Sequence, residues 1–135
     1  MQDPNKPKVV AVDLDGTILK QVPYPTMGEA LPGFREELEI LKRLGWVIVI
    51  WTCRGPAEYD AVRAQLDAHG IPHDYINENP YGVPNGSPKI YADVYVDDRG
   101  LRFEGEARGL AARVMSHRPW HKLGPWGGKV EETDG

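Results

Sequence analysis

Six residues have the types and the spacing to do chemistry together: Asp13, Asp15, Thr52, Lys89, Asp97 and Asp98. The first two end the apolar run Val9-Val10-Ala11-Val12 in the stretch "VVAVDLDGTIL". A core strand takes no charge without compensation. Two carboxylates on alternate positions of an extended chain also point to one side and repel. A second acidic pair, Asp97-Asp98, closes the apolar run "ADVYV". These four carboxylates cannot all ionise in one cleft unless a cation sits among them. Their hard oxygens suit Mg²⁺, which keeps several waters and accepts few protein carboxylates. Gly16 permits a sharp turn off the first strand, and Thr17 follows where it can hydrogen-bond the exposed loop.

The elements that position these residues follow from periodicity. Residues 8–13 read as a strand buried on both faces, as central parallel strands are. "PGFREELEILKRLG" reads as a helix, with Phe34, Leu38, Leu41 and Leu44 at helical spacing and Gly45 as its stop. "WVIVIWTCR" is a second buried strand. A second helix runs from Pro56 to Gly70, with Tyr59, Val62 and Leu66 on its inner stripe. A short strand is expected at "DYINEN", a loop over 78–88, a strand at "ADVYVDD" and a weaker helix over 106–117. Alternating strands and helices imply an α/β layer fold with right-handed crossovers. The expected class is a three-layer, Rossmann-like domain with a mostly parallel central sheet. Asp13, Thr52 and Asp97-Asp98 then all fall at carboxyl ends of strands, the edge that faces the ligand crevice in open parallel sheets. Any one of them alone would read as a cap or turn residue. The recurrence argues for a site, with Lys89 supplying positive charge just before the last strand.

Composition narrows the class. The 135 residues suit one domain, with a core over about 8–117 and an irregular tail over 118–135. The content is 41% hydrophobic and 27% charged, which is neither disordered nor fibrous. No stretch approaches ~18 consecutive apolar residues, so no membrane span is expected. The polar start "MQDPNKPK" does not resemble a signal peptide, and the lone Cys53 agrees with a reducing, cytoplasmic setting. Sixteen basic against twenty acidic residues give a net charge of −4, which disfavours nucleic acid as a partner.

In these motifs the sequence resembles the haloacid dehalogenase superfamily of phosphoryl-transfer enzymes. "DLDGT" matches the first motif of that family, "VIVIWT" ending in Thr52 the second, Lys89 the basic third and "VYVDD" the acidic fourth. The resemblance spans about residues 8–99 and leaves the tail unmatched. It implies that Asp13 is the nucleophile and Asp15 the general acid and then base. It gives Thr52 a phosphoryl oxygen and Lys89 the charge of nucleophile and phosphate. Asp13, the Asp15 backbone carbonyl, Asp97 and Asp98 would hold Mg²⁺, the order of Asp97 and Asp98 being open. An aspartate at position 15 argues for a phosphatase or phosphotransferase, since the transport ATPases of the family carry Thr there.

Members of that family often insert a cap domain after the first or second motif. Here the interval from Thr17 to Trp46 holds one helix and a turn-rich loop, and that from Cys53 to Lys89 holds a helix, a short strand and a loop. Neither can bury a core of its own, so a capless domain is expected. Arg54 and Arg99 flank the motifs and are candidates for bidentate binding of substrate phosphate, Arg54 before Arg99, against a simple surface ion pair. Tyr24 is expected to line the site or pack on the core, Cys53 to be buried, and Asn77, Glu78 and Asn79 to serve turn chemistry. His117 and His121 point only faintly to a metal. Trp120 and Trp126 are expected to dock on the core or on a second subunit of a homodimer.

The expected function is Mg²⁺-dependent hydrolysis of a phosphomonoester of undetermined identity through an aspartyl-phosphate. The alternatives are a phosphate- or metal-binding module without turnover and a nucleic-acid 3′-end phosphatase. A receiver domain also gathers acids, Thr and Lys around Mg²⁺, but there the acidic pair comes early in the chain and here it comes late.

Overall fold

A computed structural model describes residues 6–81 and 88–122 of the chain. It divides into two compact units, Met1–Val96 and Asp97–Gly135.

The first unit is built on a four-stranded, all-parallel sheet: β1 (Val9–Asp13), β2 (Val47–Trp51), β3 (Tyr75–Ile76) and β4 (Val94–Val96). Their order is β3-β2-β1-β4. Helix α1 (Phe34–Arg43) connects β1 to β2, and α2 (Tyr59–Ala68), entered through a 3₁₀ turn at Pro56–Glu58, connects β2 to β3. This is the Rossmann-like α/β fold that alternating elements imply.

The sheet's alternation sorts its side chains between two faces. Val10, Val12, Ile48, Ile50 and Ile76 pack with Leu38 of α1 and with Val62 and Leu66 of α2. Val9, Ala11 and Val49 lie on the other face with Ile90 and Ala92. Burial on both faces is why β1 and β2 read as unbroken apolar runs. Each fully buried Ile or Leu contributes about 1.5–3 kcal/mol through removal from water.

Two packing expectations fail. Leu44 is 70% exposed, because α1 ends at Arg43 and the chain turns out of its inner stripe there. Cys53 is exposed, because β2 ends at Trp51 and Cys53 sits in the turn beyond it. Among the described residues strand β4 pairs with β1 alone, and its residues Val94, Tyr95 and Val96 are exposed.

In the second unit, α3 (Leu110–Ser116) is shorter than the helix expected over 106–117. The tail is not wholly irregular: Trp120–Lys122 forms a 3₁₀ turn. Trp126 and the rest of the tail lie outside the described residues, as does most of the 78–88 loop. Among the described residues no helix is long and apolar enough to cross a membrane.

Candidate active site

Parallel strands end at one edge, and here that edge carries Asp13 at the end of β1 and Thr52 just past β2. Chain order runs outward from β1 through β2 to β3, while β4 lies on the opposite flank of β1. The sheet order therefore reverses at β1. Open α/β sheets bind ligands at the carboxyl ends beside such a reversal.

Beyond Asp13 the chain folds into a tight turn. Ile18 N–H donates to the Asp13 carbonyl at 3.3 Å, while Leu19 N–H and Thr17 N–H donate to the Leu14 carbonyl at 2.9 and 3.3 Å. Gly16 sits at φ 86°, in the left-handed region that disfavours a side chain. None of these turn bonds goes to the Asp15 carbonyl. The Thr17 hydroxyl donates to Asp13 Oδ2 at 3.3 Å.

Both oxygens of the Asp15 carboxylate are held by one guanidinium. Arg54 Nε donates to Oδ2 at 2.9 Å and Nη2 to Oδ1 at 3.0 Å. Nη2 also donates to the Thr26 carbonyl, and Nη1 to the Pro25 carbonyl and to Glu58 Oε1, each at 3.0 Å. The Arg54 side chain is only 4% exposed. Its hydrogen bond to Asp15 raises its pKa above the usual arginine value, burial opposing. Burial works against the Glu58 charge, but bonds from the Tyr24 hydroxyl, Arg54 and Gly55 N–H outweigh it and lower the Glu58 pKa. The same Tyr24–Glu58 bond, 3.0 Å long, raises the Tyr24 pKa. Tyr24 is otherwise largely exposed, its ring 5.2 Å from the Arg54 guanidinium carbon. It packs on Arg54 rather than on the core.

Thr52 is buried and fixed by two neighbours. Its hydroxyl accepts the Arg54 N–H at 3.0 Å, so its own proton is not used in that bond. Asn77 brackets its peptide: Oδ1 accepts Thr52 N–H at 2.9 Å and Nδ2 donates to the Thr52 carbonyl at 2.7 Å. Asn79 does similar work near Lys89. Its Nδ2 donates to the Lys89 carbonyl at 2.9 Å and its Oδ1 accepts Tyr91 N–H at 2.7 Å. The Lys89 side chain belongs to the exposed segment that leads into Ile90.

Asp97 and Asp98 open the second unit, directly after β4 in the chain. Asp97 Oδ1 accepts the Gly100 N–H at 2.8 Å. Asp98 is buried, and its Oδ2 lies 2.6 Å from His121 Nε2 and 3.6 Å from Arg99 Nε. His121 is thus a carboxylate's partner, and Trp120 meets its ring edge-on at 5.8 Å. Among the described residues no three Asp, Glu, His or Cys side chains gather closely enough to hold an ion by themselves.

Asp13, Asp15, Thr52 and Arg54 are therefore brought to the end of β1 and β2 in the first unit, with Lys89 on a separate segment of it. Glu58, Asn77, Asn79 and His121 carry contacts that sequence reasoning did not assign. Glu58 had a signal, since it lies four residues after Arg54 in the first turn of a Pro-initiated helix.

No family model matches the sequence. No curated protein matches it either. Among solved structures, the chain is similar to a conserved protein coded by a locus of Bacteroides thetaiotaomicron. The two are 25% identical, the match covers 85% of this chain and 95% of that one, and the TM-score is 0.62. That likeness bears out the α/β fold.

Proposed function

We propose that the chain is a Mg²⁺-dependent phosphatase of the haloacid dehalogenase type, acting on a phosphomonoester in a cytoplasmic setting. The observation that carries the reading is the D-L-D-G-T turn. It sets Asp13 at the end of a central strand, beside the reversal in strand order, and holds Asp15 two residues on in a bidentate ion pair.

Phosphoryl transfer needs positioning and charge neutralisation more than elaborate covalent chemistry. An Asp13 oxygen attacks phosphorus in line, and the bond to the leaving oxygen breaks as Asp15 delivers a proton to it. Asp15 then takes a proton from water, whose oxygen attacks the same phosphorus. The bond to Asp13 breaks, releasing phosphate and restoring the carboxylate. The Thr52 hydroxyl proton serves a phosphoryl oxygen, and Lys89 offsets the negative charge.

The donors suit a hard cation. Within the first unit, the Asp13 carboxylate and the Asp15 carbonyl, which the turn leaves out of its hydrogen bonds, would hold Mg²⁺, with waters filling most of its other positions. When bound, Mg²⁺ supplies charge neutralisation at the phosphoryl group.

The test is turnover of p-nitrophenyl phosphate, then of a panel of phosphorylated sugars, nucleotides and 3′-phosphorylated oligonucleotides, by wild type and Asp13→Asn. Wild type is expected to turn over and the variant to be inactive yet folded. Its melting temperature should be equal or higher without metal, because a like charge is removed. Substantial activity in Asp13→Asn removes Asp13 as nucleophile. An inactive wild type leaves a phosphate-binding module as the better description.

A further inference from the structure

We propose that Arg54 is a positioning residue for Asp15 rather than a receptor for substrate phosphate. The inference rests on the acid–base role given to Asp15 above.

A guanidinium carries five N–H donors and no acceptor. In Arg54 every one is engaged. Two go to Asp15, one to Glu58 and two to the backbone carbonyls of Pro25 and Thr26, all at 2.9–3.0 Å. A phosphate approaching Arg54 would have to displace one of these partners. It would also meet two carboxylates against a single positive charge, a net repulsion for an anion. The side chain is too buried to present another face. Direct substrate binding by Arg54 is therefore disfavoured by hydrogen bonding, charge and access together.

Positioning is what the geometry suits. A fork-on-fork contact fixes the plane of a carboxylate as well as its distance. The Arg54 fork is itself braced. Glu58, which holds Nη1, accepts the Tyr24 hydroxyl at 3.0 Å and the Gly55 N–H at 3.4 Å. Three pieces of chain converge on this one side chain: the turn after β1, the 24–26 loop and the turn that opens α2. Lysine cannot replace such a fork, because an ammonium is a point donor without a plane.

Asp15 serves both halves of the cycle, and in hydrolysis of the aspartyl-phosphate its carboxylate takes the proton of the attacking water. With p-nitrophenyl phosphate the phenolate leaves without a proton, so phosphorylation of Asp13 does not need Asp15. Loosening Asp15 should then slow the second half of the cycle and spare the first. A misplacement of about 1 Å costs on the order of a hundredfold in rate.

The experiment compares wild type, Arg54→Lys and Glu58→Gln with p-nitrophenyl phosphate and Mg²⁺, after melting curves establish which variants are folded. The readouts are kcat, kcat/KM and the fraction of protein carrying acid-trapped phosphate. Arg54→Lys should lose about ten- to a hundredfold in kcat, with kcat/KM within about threefold of wild type and the trapped fraction raised several-fold. Glu58→Gln, which keeps the arginine, should shift all three the same way but less, and it carries the test if Arg54→Lys does not fold. A variant that loses tenfold or more in kcat/KM with kcat intact would show that Arg54 binds substrate and overturn the proposal. So would unchanged kcat and unchanged trapping in the folded variants. Turnover by Asp13→Asn, measured beside them, overturns instead the assignment of Asp13 as nucleophile, and an inactive wild type overturns the phosphatase reading on which the proposal rests.

Discussion

The side-chain amide of Asn77 spans the Thr52 peptide, accepting its N–H at 2.9 Å and donating to its carbonyl at 2.7 Å. One side chain thereby extends the sheet ladder past the end of β2, where no further strand residue is present to pair. The same Nδ2 lies 3.0 Å from the Tyr59 hydroxyl, tying this bracket to the start of α2. Asn77 itself sits at φ 52°, a conformation asparagine tolerates better than most residues.

Replacing Asn77 should expose that dependence. Asn77→Ala removes all three bonds and leaves an unfavourable backbone conformation behind. Asn77→Gly removes the bonds but accepts the conformation. Denaturant unfolding should find both variants less stable, with alanine the worse by about 1 kcal/mol. Both should lose turnover if Thr52 serves the phosphoryl group, and equal stability of the two would remove the backbone argument.

The Glu58 cluster predicts an acid-sensitive loop. A carboxyl whose folded pKa lies below its unfolded value adds stability above the unfolded pKa. That stability fades as pH falls through the folded pKa. Melting temperature should therefore decline on the acid side of the usual glutamate range, and Glu58→Gln should flatten that decline. Tyr24 has the opposite sign: its raised pKa adds stability below the usual tyrosine range, lost as pH rises through the folded value. Tyr24→Phe should weaken the alkaline loss. Melting curves from pH 3 to 11 measure both arms.

Gly28 marks a close approach. A Cβ there would lie 2.2 Å from the Lys20 carbonyl oxygen, where Lys20 N–H donates to the Glu29 carbonyl at 2.8 Å. Leu19 and Ala30 form an antiparallel bridge beside it, so the two ends of the 20–31 loop are pinned together. Gly28→Ala should cost about 1–3 kcal/mol by overpacking against backbone that cannot retreat. A urea midpoint equal to wild type would show that the loop end opens freely.

The proposed Mg²⁺ requirement predicts metal-dependent turnover. Turnover should disappear in chelator and return with Mg²⁺. Ca²⁺ should support it poorly, because its longer and looser coordination misplaces the attacking oxygen. Full activity in chelator would remove the cation from the reaction.

The parts of the fold that were legible in the sequence are those written in one-dimensional pattern. Val9–Asp13 and Val47–Trp51 announced themselves as unbroken apolar runs, and Tyr59, Val62 and Leu66 by helical spacing. Patterns fade at element ends, where Leu44 and Cys53 turned outward. Side-chain pairing was hidden for a different reason. An arginine that meets a phosphate and one that grips Asp15 are the same letter, and only the fold decides which acceptor reaches it first. Likewise the 23-residue separation of Asp98 from His121 leaves no spacing rule to connect them.

The order β3-β2-β1-β4 also has a consequence for synthesis. Val10 pairs with Ile48 on one side and with Val94 on the other, so the second neighbour of β1 leaves the ribosome long after the first. A nascent chain that has already zipped β1 to β2 still offers an apolar, hydrogen-bonding border to any passing strand. Until Val94 has left the ribosome that border stays open, an aggregation hazard of the growing chain.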